Sequence, residues 1–226
     1  MADFGRSYAI TSAHEGGYVH APDDKGGETY MGVARKFHPN WPGWTILDFY
    51  HSNNPRLKTG EFLPAKEQSW ILPMHKELFY QFWTDSRAGE LADQRLAYIY
   101  YDFYIMTMSN AVRLLQSALN ANGARLQVDG RIGPLTIQAA NRIDAEKVHD
   151  TYKVLRAAFH KNAVAKGWVH RKFLPQWLKR NNTFPTLRQI TSNSWIVLVL
   201  LFGASAAFAL QGEFYNTKLN LGDYEK

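Results

Sequence analysis

The sequence predicts a mainly helical fold with a small irregular loop or hairpin region after the first helix. Three observations carry that prediction. From Ala65 onward apolar residues recur at helical spacing in one segment after another. The glycine-rich stretch from Val19 to Met31 has turn chemistry instead. Gly133-Pro134 supplies a helix start, because proline at the first helical position loses no donor that the helix needs.

In chain order, Asp3 to His14 reads as a short helix with Phe4, Tyr8 and Thr11 near one face, stopped by Gly16-Gly17. Val19 to Met31 follows as an irregular loop or small hairpin, and Pro39, Pro42, Pro55 and Pro64 break the next stretch. Helices are expected at about 65–83, 91–107, 109–121, 134–142, 144–166 and 170–180, with the turn Val128-Asp129-Gly130-Arg131 between two of them. The sequence contains no repeat of 20–50 residues and no low-complexity tract.

A chain of 226 residues can form one domain or two small ones, each with a real core. Apolar residues at 46% and charged residues at 20% are ordinary globular values and exclude a mostly disordered chain. The lack of cysteine removes disulfides, thiolate nucleophiles, iron–sulfur clusters and cysteine zinc sites. A net charge of +6 favours an anionic partner: nucleic acid, a membrane surface or a wall polymer. The first residues show no basic region leading into an apolar one, so a cleavable signal peptide is not expected.

One sharp composition shift lies near the C-terminus, where residues 195–210 carry no charge. As a helix this run would span about 24 Å at about 1.5 Å per residue, slightly short of a hydrocarbon core of roughly 30 Å. It is apolar all round, with Trp195, Phe214 and Tyr215 near its ends, so a transmembrane helix over 194–211 is expected. A buried core helix or a subunit interface is the plainer alternative. In the tail, Lys218 and Lys226 face Glu213, Asp223 and Glu225, so the positive charge belongs to the body. Basic residues from Arg171 to Arg188 precede the run and few follow it, which places the body in the cytoplasm by the positive-inside rule.

Glu15 is the first candidate for chemistry. It ends a helix, where unsatisfied carbonyls disfavour a carboxylate and help to keep a proton on it near neutral pH, as a general acid needs. Asp24 and Thr29 follow within the same glycine-rich loop. A carboxylic acid, a second carboxylate and a hydroxyl that can hold water are the parts of a glycosidase.

The string from His14 to Val33 resembles the E-G-G-Y, D-x-G-G-x-T and G-[IV] signature of glycoside hydrolase family 108, phage-type endolysins and related proteins that act as N-acetylmuramidases. The family's spacing of Glu, Asp and Thr falls on Glu15, Asp24 and Thr29. The resemblance implies a lysozyme-like helical fold, Glu15 as general acid, and Asp24 and Thr29 as the groups that position or activate water. It further implies that Tyr18, Gly26 and Gly27 shape the loop at the sugar. It continues through Tyr101-Asp102-Phe103, Ala111 to Gln116, Val128 to Thr136, Gly167-Trp168 and Arg171, a segment similar to the peptidoglycan-binding region that usually follows, and so covers roughly 4–180. Asp102 and Trp168 are the substrate-binding candidates there. Two departures stand out. Relatives usually carry Asn-Ser-Gly after Asp-Phe, whereas here the string is Asp102-Phe103-Tyr104-Ile105-Met106-Thr107-Met108-Ser109, and Glu28 stands where a small residue is common.

The expected organisation is therefore a catalytic region at 1–90, a peptidoglycan-binding helical region at 91–190, the membrane helix at 194–211 and a polar tail at 212–226. The expected activity is hydrolysis of the β-1,4 bond between N-acetylmuramic acid and N-acetylglucosamine, as in cell-wall lysis. The alternative is a weakened wall-binding or secretion-assisting membrane protein on the same scaffold; a lytic transglycosylase, which needs no water, is a further rival. No cofactor is called for. The histidines form no H-E-x-x-H and no i, i+4 pair, which leaves a metal site without support. The stretches Arg171-Lys172 and Lys179-Arg180 are too short to argue for nucleic acid.

Overall fold

The computed structural model describes residues 1–20, 27–168 and 170–184. It is mainly helical and divides into two compact units: Ser12–Gln81 in one, and Met1–Thr11 with the described residues from Phe82 onward in the other. Helix α3 (Ala65–Asp85) passes from the first into the second.

The first unit contains the sheet. Strands β1 (Tyr18–Val19), β2 (Thr29–Tyr30) and β3 (Val33–Ala34) pair antiparallel in the order β1-β2-β3. Tyr18 lies opposite Tyr30, Val19 opposite Thr29, Thr29 opposite Ala34 and Tyr30 opposite Val33. Met31 and Gly32 close the second hairpin with φ of 48° and 79°, and a two-residue loop with both values positive matches the twist of its strands. The expected loop or hairpin is thus a small three-stranded sheet. Helix α2 (Gly43–Asn53) was not expected from the prolines around it, yet Pro42 sits at its N-cap, where a missing donor costs nothing. Its inner residues Trp44 and Leu47 are buried, and Trp41 stands edge-on to Trp44 with ring centres 5.1 Å apart. A side chain at Gly43 would collide with the Trp41 ring, which explains the glycine.

In the second unit, α4 (Gln94–Thr107) is central. Eleven of its fourteen residues are buried, as its nearly all-round apolar sequence requires. Asp93 caps it by accepting from the Leu96 amide at 2.8 Å. Against it pack α5 (Ser109–Ala121) and α7 (Ala145–Ala165), with α8 (Leu174–Asn182) on α7 and α6 (Pro134–Arg142) against α5 and α7. The chain begins in this unit with α1 (Phe4–Ser12), whose Phe4 ring meets Tyr8, Trp83 and Tyr101. Among the described residues no helix is long and apolar enough to cross a membrane. The apolar run expected to form one lies outside the described residues.

Candidate active site

Glu15 follows the last turn of α1, its amide bonded to the Ser12 carbonyl at 3.0 Å. The residue is only 5% exposed, although it carries a carboxyl group. Two glycines then lead into β1. The second is required by close approach, since a Cβ on Gly17 would run into the carbonyl oxygens of Gly60 and Glu61. That contact lets the 60–61 turn bond β1: the Tyr18 amide donates to the Glu61 carbonyl at 2.7 Å, and the Gly60 amide to the Tyr18 carbonyl at 2.8 Å. The Met31 amide donates to the Gly17 carbonyl at 3.4 Å, so the segment carrying Glu15 is tied to the sheet on both sides.

Thr29 lies on the middle strand, 1% exposed and opposite Val19. The sheet therefore joins the backbone of Thr29 to the segment that starts at Glu15. Gly27 precedes it with φ of 72°, a conformation that glycine adopts without cost. Asp24 and Gly26 lie outside the described residues.

Tyr18, a substrate-binding candidate from the sequence, has a buried ring, and its hydroxyl donates to Glu28 Oε1 at 2.8 Å. Burial and that bond to a carboxylate raise the Tyr18 pKa well above its ordinary value. The Glu28 carboxylate also meets Arg35 Nε at 2.7 Å, and Arg35 in turn grips Asp48 through Nη1 at 2.9 Å and Nη2 at 2.5 Å. The Arg35 guanidinium lies 4.5 Å over the Trp44 ring, and His51 stands 4.0 Å from Glu28 and edge-on to Tyr18. Burial lowers the His51 pKa against the opposing pull of Glu28.

Further side chains hold the strand that bears Thr29. The Tyr30 hydroxyl donates to Gln68 and accepts from the Leu63 amide at 3.0 Å. His75, fully buried and stacked on Phe79, places Nε2 2.8 Å from the Met31 carbonyl, so it donates from that nitrogen. Sequence reasoning named none of Arg35, Asp48, His51, Gln68 and His75. The Glu28–Arg35 pair was recoverable, because the two residues flank the six-residue hairpin 29–34 at positions that must face each other.

The remaining candidates belong to the second unit. Asp102 is wholly enclosed, with Arg156 Nη2 at 2.7 Å and Arg180 Nε at 3.0 Å. Asp102, a substrate-binding candidate from the sequence, is thus placed as an internal ion-pair partner. Trp168 is half-buried under Lys166, whose ammonium lies 4.5 Å from the ring. The string Asp129-Gly130-Arg131 is organised by Gln116, which donates to Asp129 Oδ1 at 2.8 Å and the Arg131 carbonyl at 3.1 Å and accepts from the Gly130 amide at 3.0 Å. Gly130 has φ of 78°, which accounts for its glycine. Met108, joining α4 to α5, holds φ of 48° and ψ of −112°, strained for any residue with a side chain. Among the described residues no group of three His, Asp or Glu could hold a metal ion.

An enclosed carboxyl and an enclosed hydroxyl, set by one small sheet, are suited to keeping a proton and ordering a water. Comparison with known proteins bears on the class of the protein, not on these two roles. Residues 8–107 match the family described as glycosyl hydrolase 108, and residues 110–182 the family described as "Predicted Peptidoglycan domain". No curated protein matches. Among solved structures, the "Structure of Brucella abortus SagA" is similar in fold at TM-score 0.51 and 21% identity, over 80% of this chain and 94% of that one. The matches follow one another almost without a gap: the chain carries a glycosyl hydrolase 108 region at 8–107 followed by a peptidoglycan domain at 110–182, and is a glycoside hydrolase acting on peptidoglycan.

Proposed function

We propose that the chain is an N-acetylmuramidase, cleaving the β-1,4 bond between N-acetylmuramic acid and N-acetylglucosamine in the manner of a phage endolysin. Glu15 donates a proton to the leaving glycosidic oxygen. Asp24 and Thr29 hold and activate the water that attacks the oxocarbenium-like centre. Gly26 and Gly27 give the loop its tight path at the sugar, Trp168 offers a stacking face, and Tyr18 and Asp102 serve from inside the protein. The observation that carries the reading is the enclosure of Glu15, 5% exposed at the entry to the sheet whose middle strand bears Thr29. Burial disfavours the charged form of a carboxyl group, and a general acid starts from the protonated form. Purified peptidoglycan treated with wild-type protein gains reducing ends, and Glu15→Gln gains none. Near wild-type release by Glu15→Gln would overturn the reading.

The location belongs to the same proposal. The uncharged run within 194–211 anchors the chain in a membrane, with the body on the cytoplasmic side until it is released or exported to the wall. Composition, aromatic flanks and the excess of basic residues before the run support this. Protease added outside intact cells leaves the body whole; removal of the body would contradict it.

A further inference from the structure

Glu28 stands directly before Thr29, and the proposed reaction gives it no task. Its surroundings do. The ladder continues one step past the strands, since the Arg35 amide donates to the Glu28 carbonyl at 2.8 Å, so Glu28 and Arg35 form the next cross-strand pair after Thr29 and Ala34. Side chains alternate along a strand, and the register puts Thr29 with Val19 on one face and Tyr18, Glu28, Tyr30 and Arg35 on the other. Glu28 thus works behind the sheet, on the side away from the Thr29 hydroxyl. There its two oxygens are divided: Oε1 takes the hydroxyl of Tyr18 from β1 at 2.8 Å, and Oε2 takes Arg35, just past β3, at 2.7 Å. One carboxylate therefore spans all three strands. Each strand is only two residues long, so the backbone ladder has few bonds of its own to fix the register, and a cross-sheet tie has much to add.

We propose that Glu28 is a positioning residue of this chain's active site. Resting on the reading of Glu15 and Thr29 above, it clamps β1 and β3 onto β2 from the rear and so fixes the place of the Thr29 hydroxyl relative to the segment that bears Glu15. It touches no sugar. Its loss lets the front face move while the fold survives, and a displacement of about an ångström in a water-holding group lowers turnover by roughly tenfold to a hundredfold.

The test measures kcat and KM on soluble glycan fragments for the full chain and for Glu28→Ala, Glu28→Gln, Tyr18→Phe and Thr29→Val, together with the double variant Glu28→Ala/Thr29→Val. The expected result is a fall of about tenfold or more in kcat for Glu28→Ala with KM within about twofold, and a smaller fall for Tyr18→Phe. In the Thr29→Val background Glu28→Ala should change nothing further, because its effect runs through that hydroxyl; a merely structural residue would lower both backgrounds alike. If Glu28→Ala does not fold, Glu28→Gln, which keeps the shape and the Tyr18 bond while losing the charge on Arg35, takes its place with the same expectations. Wild-type kcat in a folded variant, a loss confined to KM, or an additive double variant would each overturn the proposal. Should Glu15→Gln retain activity, the reading of the site itself falls. Should Glu15→Gln be inactive while Glu28→Ala keeps full kcat, only the positioning claim falls.

Discussion

Replacing Asp102 by asparagine preserves its shape and removes its charge, leaving the Arg156 and Arg180 guanidiniums inside the protein without their carboxylate. All three residues are almost wholly enclosed, with exposures of 0%, 0% and 2%. Taking one partner from a buried pair costs about 3–5 kcal/mol, and here two cations lose the same anion, so the upper part of that range applies. At about 2–4 °C per kcal/mol for a chain of this size, Asp102→Asn is expected to melt roughly 8–20 °C below wild type. Circular dichroism during heating reads this directly. The same argument requires that Asp102→Leu combined with Arg156→Met and Arg180→Leu recover most of the loss, because no charge then remains unpaired. Below its melting temperature Asp102→Asn should bind glycan with an unchanged KM. An unchanged melting temperature with a raised KM would refute the reasoning and return Asp102 to the cleft.

Met108→Gly should stabilise the protein by about 1 kcal/mol, since the strain of φ 48° and ψ −112° disappears while glycine's extra chain entropy offsets part of the gain; urea unfolding measures it, and a destabilised variant would contradict the strain. Gln116→Ala should cost about 2–3 kcal/mol through three lost hydrogen bonds and leave the Gly130 amide exchanging freely with solvent, which hydrogen exchange detects. Acid should weaken the fold through two histidines. Burial lowers His149 to about 4 and His160 to about 3, with Arg95 and Lys153 opposing charge on the first and Arg156 and Arg180 on the second against the favourable pull of Asp150 and Asp102. Between pH 6.5 and 4 the unfolded chain binds the additional protons, so stability rises with pH, by up to about 1.4 kcal/mol per pH unit for each histidine. The urea midpoint should therefore fall as pH drops below about 6.5, and His160→Phe should flatten the slope; a midpoint independent of pH would show that these rings are not held neutral.

Much of the helical framework was legible because its signals are local. The periodic segments of α5 and α6 fall at 109–121 and 134–142 as the sequence indicates, and α7 differs by a residue at each end. Helix α2 was hidden because proline was read as a breaker, although at an N-cap it is a starter. The sheet was underread for another reason: strands of two residues carry no alternation to detect, and their pairing rests on Gly17, on the Met31-Gly32 turn and on side chains as distant as His75. Glu15 and Thr29 stood out as candidates because one short stretch supplies both, and the small sheet joins the segments that carry them. The rear clamp was not, since Arg35, Asp48 and His51 come together with Glu28 and Tyr18 only once that sheet and α2 are folded. The Asp102 triad brings together residues 54 and 78 positions apart, a pairing beyond the reach of local pattern.

The central claim is that an enclosed Glu15 donates a proton while water, held at Thr29, completes a hydrolysis. Mass spectrometry of the fragments released from purified peptidoglycan tests it most directly, with Glu15→Gln beside the wild type. The account predicts fragments ending in reducing N-acetylmuramic acid, each heavier by one water than the corresponding anhydro-sugar, and none from Glu15→Gln. Anhydro-sugar ends would show that no water enters, and intact glycan retained on the protein would show a wall-binding scaffold without turnover; either result would contradict the account.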